Sequence, residues 1–204
     1  SSLDITSAAL EPEKFDNYEL GLKWDILPTL NVTAAVYRLD RTNTRATDPN
    51  DATRTVLTGA QRSKGLEIGL SGAITPQWQV SAGYALQDAK IRKTTSAAPA
   101  GRDVPLVPKQ QASLWTRYDF TPRFGAGVGV YHQSKSFTSI SNTAVLPAFT
   151  RVDAAAFFKL TPQIEAQINV ENLLNSDYFS SAYNDNNIMP GAPTTVRATV
   201  RMRL

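Results

Sequence analysis

Apolar and polar residues alternate along most of this chain, and a period of two is typical of β-strands with one apolar and one polar face. In the segment 77–88, for example, one face carries Trp78, Val80, Ala82, Tyr84 and Leu86. The same alternation predicts nine strands, at about 17–25, 30–41, 61–72, 77–88, 111–120, 124–133, 150–160, 163–171 and 195–204.

A short proline motif recurs between pairs of these strands. The segments 74–78, 120–124 and 160–164 share the order apolar, Thr, Pro, polar, apolar, and 26–30 is a looser copy. Because proline fixes φ and cannot donate to a β-ladder, each copy indicates a tight chain reversal. The four turns should therefore lie at one end of an antiparallel sheet. The connections expected at the other end are long: 42–55, 89–109, 134–148 and 172–194.

Charged residues keep almost entirely to one face of the last six predicted strands. Of the eleven charged residues there, ten lie on the polar face, and only Asp88, at a strand end, shares the apolar face. One face therefore meets water and the other meets an apolar environment.

Two architectures fit this pattern. A soluble β-sandwich buries its apolar faces between two sheets, whereas a membrane barrel turns them towards lipid. Three details favour the barrel: alternating short and long connections, strands near the 9–11 residues that cross a bilayer, and aromatic residues beside the turns. We predict an all-β fold, an antiparallel up-and-down transmembrane β-barrel segment, and the sandwich stays open.

Nine strands do not close such a barrel. Single-chain bacterial barrels have even strand numbers, and an open sheet would leave two unpaired edges in lipid. We therefore expect residues 1–204 to be the C-terminal part of a larger barrel, with the signal peptide and any plug in the preceding part.

The composition excludes several kinds of binding site and structural element. The net charge of +3 is too small to indicate nucleic-acid binding, and the lack of Cys excludes disulfides and thiolate metal sites. The longest apolar run, 154–158, is far too short for a transmembrane helix. His132 and Ser134 share a strand face, but no acid partner accompanies them, and no metal-ligand spacing or phosphate loop occurs. We expect no enzyme activity.

Four segments resemble the C-terminal half of the barrel in TonB-dependent siderophore receptors. They are EKFDNYELGLK (13–23), GAQRSKGLE (59–67), NVENLLNSDYF (169–179) and NDNNIMPGAPTTVR (184–197). The last is similar to the end of the catecholate-siderophore subgroup. One departure is the final residue, which is usually Phe in the family and is Leu204 here.

This resemblance implies a 22-stranded barrel in the bacterial outer membrane, filled by an N-terminal plug. A ferric siderophore would bind from outside, and the TonB complex would supply the energy for import through the missing N-terminal part. The iron arrives fully chelated, so we expect no cofactor and no protein metal ligand.

A ferric tris-catecholate is anionic and aromatic, so its site should offer cationic and aromatic side chains on the extracellular side. The long connections supply both kinds: Lys90, Arg92, Lys93 and Arg102, with Tyr178, Phe179, Tyr183 and Asn184. The alternative for the cations is plain solvation or contact with outer-membrane lipid and lipopolysaccharide.

Two further expectations concern single segments. Arg62, Lys64 and Glu67 could form a lumenal charge cluster against the plug, or be solvated on the wet face, and 172–175 should form a short turn leaving the membrane. For the whole protein, a passive porin-like barrel without a plug and a soluble β-sandwich binding module remain alternative functions.

Overall fold

The computed structural model describes residues 12–47, 55–95 and 98–203, and these residues form strands, turns and loops without an α-helix. No helix long and apolar enough to cross a membrane occurs in these ranges. Nine strands form one antiparallel meander: β1 (Lys14–Leu27), β2 (Leu30–Thr47), β3 (Thr55–Thr75), β4 (Trp78–Ile91), β5 (Gln110–Thr121), β6 (Phe124–Gln133), β9 (Phe149–Lys159), β10 (Ile164–Glu171) and β13 (Thr195–Met202). Two small hairpins interrupt the sequence order: β7 (Ser136–Phe137) with β8 (Val145–Leu146), and β11 (Phe179–Asn184) with β12 (Asn187–Pro190).

All nine predicted strands are present, but the prediction of a long connection at 42–55 is wrong in part, because 42–47 and residue 55 belong to strands. β2 continues to Thr47 and β3 begins at Thr55, and the two pair from Leu30↔Gly72 to Thr47↔Thr55. The register shifts near Asn43, whose φ of 58° marks a bulge. Polar residues on both faces hide the strand pattern here, so periodicity could not show the extension. The rest of that connection, 48–54, lies outside the described residues.

The four proline turns lie at one end of the sheet, as predicted, because each joins two consecutive antiparallel strands. The threonine of the motif caps the turn. The hydroxyl of Thr121 accepts hydrogen bonds from the backbone N–H groups of Arg123 and Phe124 at 3.2 and 2.9 Å. Thr161 caps Gln163 and Ile164 in the same way, and Thr75 caps Trp78. The motif is therefore a hydroxyl-capped hairpin turn.

Cross-strand register fixes which residues share a face, because directly opposed residues point to the same side of a sheet. Ile168 lies opposite Ala198 and Ala156, whereas Glu165 lies opposite Arg201 and Lys159. On β4 the apolar face extends over nine residues from Trp78 to Leu86, which matches the length needed to cross a bilayer. Asp88 lies on the same face just beyond that band, which explains its exception to the charge rule.

The two sequence interpretations of Arg62, Lys64 and Glu67, a lumenal charge cluster or solvation on the wet face, are both wrong for Arg62 and Lys64. Arg62 is opposed by Asp40 and Lys90, and Lys64 by Arg38 and Asp88, all on the face that carries the apolar band. Glu67 is one residue out of phase with these two and faces the other way. The cause is the strict two-residue period of a strand, which separates even from odd positions.

Candidate functional site

At the end of the sheet opposite the proline turns, the described residues include three connections, 92–109 without 96–97, 134–148 and 172–194. They contain seven of the eight residues predicted to bind ligand, and the eighth, Lys90, lies on β4 beside them. Backbone and side-chain hydrogen bonds join all three connections into one cluster.

Asn172 closes the base of the third connection. Its side chain is almost fully buried, at 1% exposure, and its φ of 52° places it in the left-handed region that Asn tolerates. The side-chain amide donates to the carbonyls of Ser176 and Ala192, while its oxygen accepts from the Ser176 N–H. The Asn172 backbone N–H donates to Asp153. Every polar atom of this side chain thus has a partner, and the turn expected at 172–175 is confirmed as a structural element.

An aromatic ladder lines the polar face where β6 and β9 reach this cluster. The rings of Tyr131 and Phe149 lie 5.7 Å apart, and the ring of Phe149 stacks on that of Tyr178 at 4.6 Å with an interplanar angle of 26°. Arg151 Nη1 donates to the Tyr178 hydroxyl at 3.3 Å, and its guanidinium pairs with Asp153 at 2.9 Å. Gly191 makes this packing possible, since a Cβ there would lie 2.2 Å from the Tyr178 ring.

Asp185, in the turn between β11 and β12, ties the third connection to the second. Its carboxylate accepts hydrogen bonds from the hydroxyls of Thr138, Ser141 and Thr143, the last two at 2.7 and 2.9 Å. These donors, Thr138 first, hold the pKa of Asp185 well below its ordinary value because they stabilise the carboxylate. We call this set of four residues the Asp185 clasp.

The first connection is fastened to the second by a reciprocal pair of bonds. The Asp103 N–H donates to Asn142 Oδ1 at 2.8 Å, and Asn142 Nδ2 donates back to the Asp103 carbonyl at 3.0 Å. The Leu106 N–H donates to the Phe137 carbonyl at 2.8 Å. The loop cluster is therefore continuous across all three connections.

The four predicted cations have different surroundings. Lys90 lies on the outward face and pairs with Asp103, and Arg102 Nη1 donates to the Ile140 carbonyl at 3.1 Å. Both side chains are therefore already engaged by groups of the chain itself. Arg92 and Lys93 are exposed. Lys93 also lines a concavity of about 240 Å³, together with an ion pair between Glu13 and Arg41.

The predicted aromatic and amide residues are spread along the third connection. Tyr178 is half-buried in the aromatic ladder, whereas Phe179 is 42% and Tyr183 is 87% exposed. Asn184 caps the β11–β12 turn by accepting a bond from the Asn186 N–H at 2.9 Å. The ring of Tyr183 is therefore accessible to solvent, whereas the ring of Tyr178 is fixed by its packing.

A scan against protein-family models matches residues 2–173 to the family described as TonB dependent receptor-like, beta-barrel. The chain belongs to this family. The predicted barrel fold and outer-membrane location are thereby confirmed, and the soluble sandwich is excluded.

Named receptors from two bacteria are similar in sequence to this chain. Over 193 residues, the chain is 33% identical to the probable TonB-dependent siderophore receptor PiuA of Acinetobacter baumannii, covering 89% of this chain and 26% of PiuA. It is 32% identical over 199 residues to the catecholate siderophore receptor Fiu of Escherichia coli K12, covering 94% and 26%. The chain thus spans about a quarter of the length of these relatives.

Solved receptor structures superpose closely on this one. The crystal structure of PiuA from Acinetobacter baumannii gives a TM-score of 0.90 at 31% identity, covering 98% of this chain and 30% of PiuA. The closed form of Fiu from E. coli K12 gives 0.83 at 28% identity, covering 99% and 29%. In a TonB-dependent receptor barrel the short turns face the periplasm, so the loop cluster faces the cell exterior.

Sequence reasoning missed several residues of this exterior end of the TonB-dependent receptor barrel. The pattern predicts strand positions for Tyr131 and Arg151 and places Phe149 in neither a strand nor a connection, although the polar-face parity of all three close to long connections could have singled them out. Asp185 carried no such signal, because its three hydroxyl partners lie more than forty residues away.

Proposed function

We propose that this chain is the C-terminal part of a TonB-dependent receptor that binds a ferric siderophore outside the cell and imports it with energy from the TonB complex. The remainder of the barrel and the plug would lie in the part of the protein beyond this chain. Two observations support the proposal: the chain spans about a quarter of its named relatives, and the described sheet has β1 and β13 as unpaired edges, which must pair with further strands in lipid.

The ligand that we favour is a ferric catecholate. The observation that carries this choice is the aromatic ladder of Tyr131, Phe149 and Tyr178, with Arg151 bonded to its last hydroxyl. Flat catechol rings can stack on such a ladder, and a stacked ring pair contributes about 0.5–1.5 kcal/mol beyond its buried area. The relative Fiu is named a catecholate siderophore receptor, which is consistent with the choice.

Exposed cations should guide the anionic complex to this surface. Arg92 and Lys93 have solvent-exposed side chains at the exterior end, and their attraction would act over a Debye length of about 8 Å. The ladder would then hold the complex once it has docked. Iron enters already chelated, so the proposal requires neither a protein metal ligand nor a catalytic group.

In the full-length receptor, the exposed cations should affect the association rate of the ligand, and the aromatic ladder should affect its dissociation rate. Arg92→Gln with Lys93→Gln should slow capture of a ferric catecholate and flatten the dependence of its association rate on salt. Lys23→Gln with Arg123→Gln removes the same charge near the periplasmic end and should leave capture unchanged. Equal slowing in both pairs would contradict a role for the exterior cations.

The ladder is tested by dissociation. Tyr178→Leu should speed release of the ferric catecholate, because contacts made only in the complex act mainly on the off-rate. Tyr178→Phe keeps the ring and should change release much less. A neutral ferric hydroxamate lacks both the charge and the catechol rings, so it should respond little to any of these substitutions. Equal losses for the two chelates would contradict the catecholate assignment while leaving the siderophore receptor standing.

A further inference from the structure

The outward face of the sheet carries two rows of charged side chains across β2, β3 and β4. In the first row Arg38, Lys64 and Asp88 lie side by side, and in the second row Asp40, Arg62 and Lys90 do. Asp103 joins the second row through Lys90. We call these seven residues the outer charge belt.

The belt begins where the apolar band ends. Val36, Leu66 and Leu86 oppose one another on the same face, and the first charged row follows two residues further towards the exterior on each strand. This position corresponds to the head-group level of the outer leaflet. Since β1 and β5 flank the three strands, closing the barrel or filling its lumen would leave this face open to the membrane.

The carboxylates fix the geometry of the cations without using all of their donors. Asp40 accepts bonds from both Arg38, at 2.8 Å, and Arg62, and each guanidinium has five N–H donors in all. Lys90 is held by Asp103. Lys64 is exposed and makes no hydrogen bond or ion pair with the described part of the chain. On β1 the rows continue with Tyr18 and Asp16, so the surface is mixed in charge and its binding would depend on individual donors.

We propose that the outer charge belt binds the phosphate groups of lipid A, the membrane anchor of lipopolysaccharide, with the acyl chains lying along the apolar band below. Arginine forks and a free ammonium are the donors that phosphate oxygens prefer. A soluble anion would gain nothing from the adjoining apolar band, whereas a phosphorylated lipid uses both surfaces. This inference rests on the membrane orientation and is independent of the siderophore.

The test measures binding of purified diphosphoryl lipid A to the detergent-solubilised full-length receptor by native mass spectrometry. Arg38→Gln with Lys64→Gln removes two belt cations and still leaves Asp40 paired with Arg62. Each lost cation near an anionic surface corresponds to about a five-fold weaker affinity, so the pair should weaken binding about 25-fold. Lys23→Gln with Lys159→Gln, a matched lumen-side loss of charge, should leave binding unchanged.

Two further measurements separate phosphate recognition from other causes. Arg38→Lys with Lys64→Arg retains both charges and should retain most of the binding. This result would show that substitution at these two positions does not by itself disrupt the fold of the belt. Dephosphorylated lipid A and phosphatidylglycerol should bind the unsubstituted receptor more weakly than diphosphoryl lipid A. Unchanged affinity of the Gln pair for diphosphoryl lipid A, or an equal loss of affinity in the lumen-side pair, would overturn the proposal. So would an unsubstituted receptor that binds dephosphorylated lipid A or phosphatidylglycerol as tightly as diphosphoryl lipid A.

Discussion

Two adjacent residues on β10 test the assignment of faces to lipid and lumen. Ile168 and Gln167 lie at the same depth near the middle of the strand, and their side chains point to opposite sides. Arginine at Ile168 would face the hydrocarbon, where the cost at the bilayer midplane is about 2–4 kcal/mol. This corresponds to roughly a 30- to 1,000-fold shift in the folding equilibrium.

Arginine at Gln167 should cost far less because the lumen is polar. Its main loss is the 2.7 Å hydrogen bond from Gln167 Nε2 to Asn169, worth about 1 kcal/mol. The assay is equilibrium denaturant unfolding of the full-length receptor in phospholipid vesicles, with unfolding followed by intrinsic fluorescence. Equal destabilisation by Ile168→Arg and Gln167→Arg, or a larger effect at Gln167, would refute the assignment of faces.

Three further predictions concern the turns and the loop cluster. Thr121→Val should destabilise the receptor by about 1–2 kcal/mol in the same assay, because two N–H caps are lost, and Thr75→Val should cost about half as much because it removes one. Gly191→Ala should push the Tyr178 ring off its stack, at about 1–3 kcal/mol, and speed hydrogen exchange in 176–194. The Asp185 clasp should be fully formed above about pH 4 and should loosen below it. A carboxylate whose pKa is lower in the folded than in the unfolded protein stabilises the fold above its unfolded pKa, and this contribution is lost as the pH falls through the folded pKa. Hydrogen exchange in 134–148 should therefore be constant from pH 7 to 5 after correction for intrinsic rates, and a steady rise across that interval would contradict the assignment.

Periodicity predicted the membrane-spanning part of the fold because lipid and water impose opposite demands on alternate residues. Ile164 and Glu165 are assigned to opposite faces by the sequence alone, and the register confirms this. The same rule failed above the membrane. Five of the six residues of β2 beyond Arg41 are polar, and they occupy both faces, so nothing in the pattern marks this further length of strand.

The candidate site was predictable in composition and only partly in arrangement. The exposed positions of Arg92 and Tyr183 agree with the sequence expectation that the long connections offer charge and aromatic rings. The pairing of Lys90 with Asp103 and the bond from Arg102 to Ile140 depend on how separate loops meet, and no local pattern encodes such long-range contacts.

Energised uptake tests the central proposal most directly. Cells lacking their own siderophore receptors would express the full-length receptor and be supplied with radioiron as a ferric catecholate, with and without a functional TonB complex. Accumulation of iron that requires both the receptor and TonB is the predicted result. Uptake that proceeds equally without TonB, or no uptake of any ferric siderophore in cells with folded receptor in the outer membrane, would contradict the proposed function.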